Sequence, residues 1–149
     1  MWYITRRYLS LLVWHWGPVL AAMLMMFVAS AQPKYGPPPG ASPFTIYFSG
    51  VLPVFPGLWE FLIKKSAHMI AYGVLALLLA RALVAWGVTA RRAAILAVLL
   101  ALAYALLDEA HQALVPGRHA SLTDIGLDAA GASLFMMVGH SIRRKQPLP

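Results

Sequence analysis

Residues 67–107 read AHMIAYGVLALLLARALVAWGVTARRAAILAVLLALAYALL, two apolar runs separated by a short segment with an arginine pair. Apolar and polar residues do not alternate along these runs, which favours helices over the strands of a membrane β-barrel. Two more runs of this kind cover residues 8–31 and 122–142. The sequence therefore predicts one all-α membrane domain over residues 1–149, with transmembrane helices at about 8–31, 67–88, 93–107 and 122–142.

The composition of the chain excludes an ordinary soluble domain. Of its 149 residues, 60% are hydrophobic and 11% are charged, and its mean hydropathy is +0.69. Soluble domains have roughly 45–50% apolar and roughly 25% charged residues. The chain has no cysteine, which excludes disulfides, thiolate metal sites and cysteine nucleophiles.

The net charge of +7 comes from basic residues in short clusters between the apolar runs. In a soluble protein such a charge suggests nucleic-acid binding, but clusters at the ends of membrane helices fix orientation instead, so no nucleic-acid partner is expected. Three clusters fall on one side of the predicted helices: Arg6-Arg7, Arg91-Arg92 and Arg143-Arg144-Lys145. The positive-inside rule then predicts that both termini are cytoplasmic. The expected partners of the apolar helices are the membrane lipids around them.

Two segments have alternative interpretations. The first apolar run followed by Ala29-Ser30-Ala31 is similar to a cleaved signal peptide, but its length and Pro18 favour a retained helix. Residues 32–60 form a proline-rich external loop that includes Pro37-Pro38-Pro39. An interfacial hairpin at headgroup depth is the favoured interpretation of this loop, and a lid over an outward-facing site is the alternative.

Ionisable residues concentrate at the predicted outer ends of the last three helices. Four of the five acids, Asp108, Glu109, Asp124 and Asp128, lie here. The uncharged runs are shorter than the ~20 residues of a full span, so some charges must lie below the membrane surface. An ionised carboxylate there costs about 2.5–3.5 kcal/mol, and such residues indicate a functional site.

Helical spacing brings these groups towards one another. Ser121, Asp124, Asp128 and Gly131 share a face of the last helix, as Lys65, His68 and Tyr72 do on the second, and as Asp108, His111 and Gln112 do at the end of the third. We therefore expect one polar pocket that opens outward. Its candidate catalytic residues are His68, Asp108, Glu109, His111, Asp124 and Asp128, and its candidate substrate-binding residues are Lys65, Tyr72, Gln112, Arg118 and Ser121.

These residue types suit three kinds of function better than a fourth, proton conduction. The first is catalysis: a histidine base and cationic clamps for a phosphate would make a hydrolase or transferase for a lipid-linked substrate, and without a nucleophile motif it would be non-covalent. The second is binding of an amphiphile without turnover. The third is an ion-pair network that only pins the helices. Proton conduction fits poorly, because the inner halves of the last two helices have no ionisable relay.

Metal binding is a less favoured alternative, and no other cofactor is indicated. Asp108-x-x-His111 and Asp124-x-x-x-Asp128 supply suitable ligand types for a divalent cation. However, the sequence contains no HExxH-type signature.

The polar motifs together resemble those of the VanZ-like family of bacterial membrane proteins. The matching pieces run from Lys65 to Gly131: Lys65-x-x-His68-x-x-x-Tyr72, Asp108-Glu109-x-His111-Gln112, and Pro116-Gly117-Arg118 followed by Ser121, Asp124 and Gly131. The family pattern usually has Asn where this chain has Asp128, and two carboxylates one turn apart repel each other when both are ionised.

The resemblance implies a four-helix protein of the bacterial cytoplasmic membrane with an envelope role. The founding member is associated with low-level resistance to teicoplanin-type glycopeptide antibiotics. The expected ligand is therefore an outer-leaflet amphiphile: an envelope lipid, a lipid-linked precursor or such an antibiotic.

Overall fold

The computed structural model describes residues 9–32 and 56–144, and this part of the chain is helical, with turns and no strands. A π-helical turn, Leu12–Trp16, leads directly into helix α1, Gly17–Ser30. The three later helices are α2, Pro56–Ala85; α3, Ala90–Gln112; and α4, Leu122–Arg144. The predicted all-α fold is confirmed.

Four helical segments are long and apolar enough to cross a membrane: Leu9–Ser30, Leu62–Ala85, Ala90–Gln112 and Leu122–Gly139. Large apolar side chains on their outer surfaces, such as Leu20, Leu99 and Met137, are more than half exposed in the isolated chain. Such a surface is unfavourable in water and natural in lipid. The protein is therefore a multi-pass membrane protein.

Two helices are longer than their apolar runs. Helix α2 begins at Pro56, inside the predicted external loop, because proline is tolerated in the first turn of a helix. Helix α3 continues past the end of its apolar run at Leu107 to Gln112, and the link that follows turns at Pro116-Gly117, where Gly117 has a φ of 75°. The rest of the predicted loop, residues 33–55, lies outside the described residues, as do Arg6-Arg7 and Lys145.

Helix α2 is the centre of the bundle and packs most extensively against α4, which runs in the same direction. Two glycines permit this close approach, because a Cβ on Gly131 would collide with the backbone of Met69 and one on Gly73 would collide with the ring of Phe135. Helix α3 contributes a seam of fully buried alanines, Ala93, Ala97, Ala101 and Ala105. Small residues thus bring the three helices close together.

Side chains of α2 and α3 hold the first helical segment in place. The Arg81 guanidinium on α2 donates to the carbonyl oxygen of Trp14, in the π-helical turn, at 2.5 Å. The Tyr104 hydroxyl on α3 donates to the carbonyl oxygen of Met23 at 2.6 Å. Helix α1 is thereby fixed against α2 and α3, next to the polar groups described below.

Candidate functional site

The beginning of α2, the end of α3, the α3–α4 link (residues 113–121) and the beginning of α4 meet at one end of the bundle, called here the polar end. Two pairs join α2 to α4 across it. The Lys65 ammonium makes an ion pair with Asp124, and both side chains are about one-fifth exposed. One turn deeper, Nδ1 of His68 lies 3.6 Å from Oδ1 of Asp128, which is only 2% exposed. The two neighbouring carboxylates of α4 therefore each face a basic partner on α2.

Hydrogen bonds at the end of α3 fix the α3–α4 link. Glu109 Oε2 accepts a hydrogen bond from the backbone N–H of Ser121 at 2.7 Å, and Gln112 Nε2 donates to Asp108 Oδ2 at 2.8 Å. Ser121 Oγ in turn accepts from the backbone N–H of Asp124 at 3.3 Å, as an N-cap of α4 does. Glu109, Gln112 and Ser121 thus make contacts that position backbone and side chains.

A cavity of about 250 Å³ opens beside these pairs, between α1, α2, α3 and the link. Four of the predicted site residues line it: His68, Tyr72, Asp108 and Arg118. Its other lining residues are apolar or small: Met26, Ala29, Ser30, Ala67 and Ala71. One wall is therefore polar and charged, and the other suits an aliphatic chain.

Buried polar atoms concentrate at this end without partners. The Tyr72 hydroxyl, Asp108 Oδ1 and Arg118 Nε, all on cavity-lining residues, make no hydrogen bond within the described part of the chain, and the same holds for Asp128 Oδ1 and His111 Nε2. Tyr72 and Asp108 are only 1% and 6% exposed. Buried polar groups are normally satisfied, because leaving one without a hydrogen bond costs about 1–3 kcal/mol. The cavity wall is thus chemically suited to a polar occupant.

The structure divides the predicted site residues into those that line the cavity and those that do not. All of them lie at the polar end, but Lys65, Asp124 and Glu109 are engaged in the contacts above and do not line the cavity. The ring of His111 stacks on Phe27 of α1, with ring centres 4.4 Å apart. Lys65, which the sequence suggested as a phosphate clamp, is therefore committed to Asp124.

Sequence reasoning missed the contribution of α1. Met26, Ala29 and Ser30 form one side of the cavity, although nothing ionisable marks them. The only available signal was the presence of small residues on two helices, the adjacent Ala29 and Ser30 on one, and Ala67 and Ala71, one turn apart, on the other. That pattern is common wherever membrane helices pack.

Among the described residues, no three His, Cys, Asp or Glu side chains are placed to hold a metal ion together. A second, larger cavity of about 480 Å³ lies between α3 and α4 at the opposite end. Its lining is mostly apolar, with Ile95, Leu99 and Met137 among the residues, and Arg91 is its one charged member. The candidate site is therefore the smaller cavity at the polar end.

A family model described as VanZ/LLP1 matches residues 12–143, which include α1, α2, α3 and nearly all of α4, and therefore the whole polar end. Comparisons with curated proteins and with solved structures give no match.

Proposed function

The chain belongs to the VanZ/LLP1 family, and on that premise we propose that its polar-end cavity binds the phosphate-bearing head group of an outer-leaflet amphiphile. The observation that carries this proposal is a cavity between transmembrane helices whose wall holds buried polar atoms without partners, on Tyr72, Asp108 and Arg118. A head group entering from the membrane would satisfy these atoms.

The chemistry of the wall favours a phosphate. The guanidinium of Arg118 makes no ion pair within the described residues, and guanidinium groups bind phosphate through paired hydrogen bonds. The Tyr72 hydroxyl can donate one more. The opposite side of the cavity, where Met26, Ala29, Ala67 and Ala71 lie, is suited to the first carbons of an acyl chain.

The size of the cavity favours a head group over a whole drug molecule. Pockets that enclose drug-sized ligands measure roughly 300–1,000 Å³, whereas this cavity measures about 250 Å³. A glycopeptide antibiotic is far larger than a typical drug and does not fit inside. A role in antibiotic resistance would therefore act through an envelope lipid or a lipid-linked precursor.

A catalytic role is the second candidate, and the His68–Asp128 pair favours it. His68 lines the cavity, and its Nδ1 faces the buried Asp128 carboxylate at 3.6 Å. If the pair shortens to hydrogen-bond distance when a substrate binds, the carboxylate would orient the imidazole and leave Nε2 to act as a general base. The corresponding reaction is non-covalent hydrolysis or transfer on the bound lipid-linked substrate.

The third interpretation, a cluster that only pins helices, accounts for part of the polar end. Lys65–Asp124 and Glu109–Ser121 are contacts of that kind. It gives no reason for the unpartnered groups of Tyr72, Asp108 and Arg118 around one cavity, because pinning requires polar groups to meet each other.

Native mass spectrometry of the protein purified in an uncharged detergent tests the binding proposal. Ala71→Phe fills the cavity, and Ala103→Phe places the same side chain on the exposed surface of α3 as a matched control. We expect the unmodified protein and Ala103→Phe to carry a phosphate-bearing lipid and Ala71→Phe to lack it. Equal lipid on all three proteins would overturn the proposal.

A further variant separates catalysis from binding. His68→Gln removes the base but keeps a side chain of similar size that hydrogen-bonds. If the protein is an enzyme, we expect cells with this variant to accumulate substrate and lose product in lipid and precursor profiles. The purified variant should still carry its ligand. Unchanged profiles would exclude His68 as the base.

A further inference from the structure

Two opposite charges line the same cavity without meeting each other. Asp108 lies on the last turns of α3 and Arg118 lies on the α3–α4 link, and both line the cavity. Within the described residues no ion pair joins them, and Asp108 Oδ1 and Arg118 Nε each have no hydrogen-bond partner. The cavity therefore presents a carboxylate and a guanidinium to whatever occupies it.

This separation is informative because ionisable groups inside membrane proteins normally pair with one another. Gln112 holds Asp108 by a hydrogen bond to Oδ2 at 2.8 Å, which leaves Oδ1 available. A simple phosphate would satisfy Arg118, but its negative charge would be repelled by the Asp108 carboxylate, which lines the same cavity. An occupant with both charges satisfies both side chains.

We infer that the ligand is zwitterionic, an aminoalkyl phosphate head group such as phosphoethanolamine. Its phosphate would bind Arg118 and the Tyr72 hydroxyl, and its ammonium would donate to Asp108 Oδ1. This inference rests on the proposed function and narrows it from any phosphate-bearing head group to one that also carries a cation. A compact head group of this kind matches the small volume of the cavity.

Calorimetric titration of the full-length protein in an uncharged detergent tests this inference. The probes are short-chain phosphatidylethanolamine, its N-acetyl derivative, phosphatidylglycerol with the same chains, and free phosphoethanolamine. We expect phosphatidylethanolamine to bind more tightly than the two lipids without an ammonium group. The difference should be about tenfold or more, the effect of one hydrogen bond between charged groups.

Charge-removing variants locate the two contacts. Asp108→Asn should abolish the preference for the ammonium group, and Arg118→Gln should weaken binding of every phosphate probe by about tenfold or more. Arg92→Gln, an exposed charge at the opposite end of the bundle, is the matched control and should change nothing. If Asp108→Asn fails to fold, the comparison of lipids on the unmodified protein still decides the question.

The outcomes separate this inference from the proposed function. If the three lipids bind with equal affinity and Arg118→Gln weakens the binding of all three, the inference of a zwitterionic ligand is overturned and the proposal of phosphate binding stands. If none of the probes binds, both the zwitterionic ligand and the proposed function are overturned. Equal affinity for free phosphoethanolamine and the lipid would support the zwitterionic chemistry and identify its source as the soluble compound.

Discussion

Gly131 lies where α4 crosses α2, and a methyl group added there would come within 2.7 Å of the Met69 Cα. Gly131→Ala should therefore destabilise the protein by roughly 1–3 kcal/mol, the usual cost of overpacking. Gly126→Ala on the same helix is the control, since nothing lies within 4 Å of the added methyl group and Ala favours helix by about 1 kcal/mol. Thermal unfolding in detergent measures both, and equal stability of the two variants would contradict this packing.

A second prediction about individual residues concerns the contribution of the Lys65–Asp124 ion pair to stability. A double-mutant cycle with Lys65→Met and Asp124→Asn should give a coupling free energy of about 0.5–3 kcal/mol, because each single change leaves a partly buried partner. Unfolding in denaturant, with all four proteins in one detergent, measures it. Strictly additive effects would show that the two side chains do not act together.

At the scale of elements, the α3–α4 link depends on the Glu109 carboxylate. Glu109→Ala removes the acceptor for the Ser121 N–H and should destabilise the link by about 1–3 kcal/mol. Glu109→Gln keeps an acceptor oxygen and should be much milder, with lipid binding retained. Hydrogen exchange at the Ser121 amide measures the difference. Loss of lipid binding in a stable Glu109→Gln protein would instead favour a direct role in the site.

The extents of the helices show where hydropathy is a poor guide. The apolar run predicted that the membrane-spanning part of α3 ends at about Leu107, because charged residues begin at Asp108. In the structure the helix continues for more than a turn, since Asp108 and Glu109 are held by Gln112 and by the Ser121 N–H. Apolar runs report the part of a helix that lies in hydrocarbon, and they say little about its continuation into a polar cluster.

For the whole molecule, the four helices could be predicted because a membrane leaves the backbone few alternatives to helices. The gathering of the acids and bases at one end followed from helix spacing. The division of roles did not: whether Lys65 binds a ligand or Asp124, and whether α1 forms a cavity wall, depends on side-chain directions and helix rotations. One sequence carries no direct signal for these.

The orientation of the whole molecule is a separate prediction. The chain has no cysteine, so single cysteines can be placed at Ala120, in the α3–α4 link, and at Thr89, in the turn before α3. With the polar end outside, Ala120→Cys should react with an impermeant thiol reagent on intact cells, and Thr89→Cys only after permeabilisation. The reverse pattern would place the polar end in the cytoplasm.

The most direct test of the account is the distance between the Arg118 guanidinium carbon and a lipid phosphorus, measured by solid-state NMR dipolar recoupling. The protein, labelled with ¹³C at the arginine guanidinium carbons, is placed in a phosphorus-free galactolipid bilayer with one equivalent of phosphatidylethanolamine. We predict a carbon–phosphorus distance of about 4 Å, as in a paired guanidinium–phosphate contact, that is lost in Arg118→Gln. A coupling that persists unchanged in Arg118→Gln, or no coupling at all, would contradict head-group binding in this cavity.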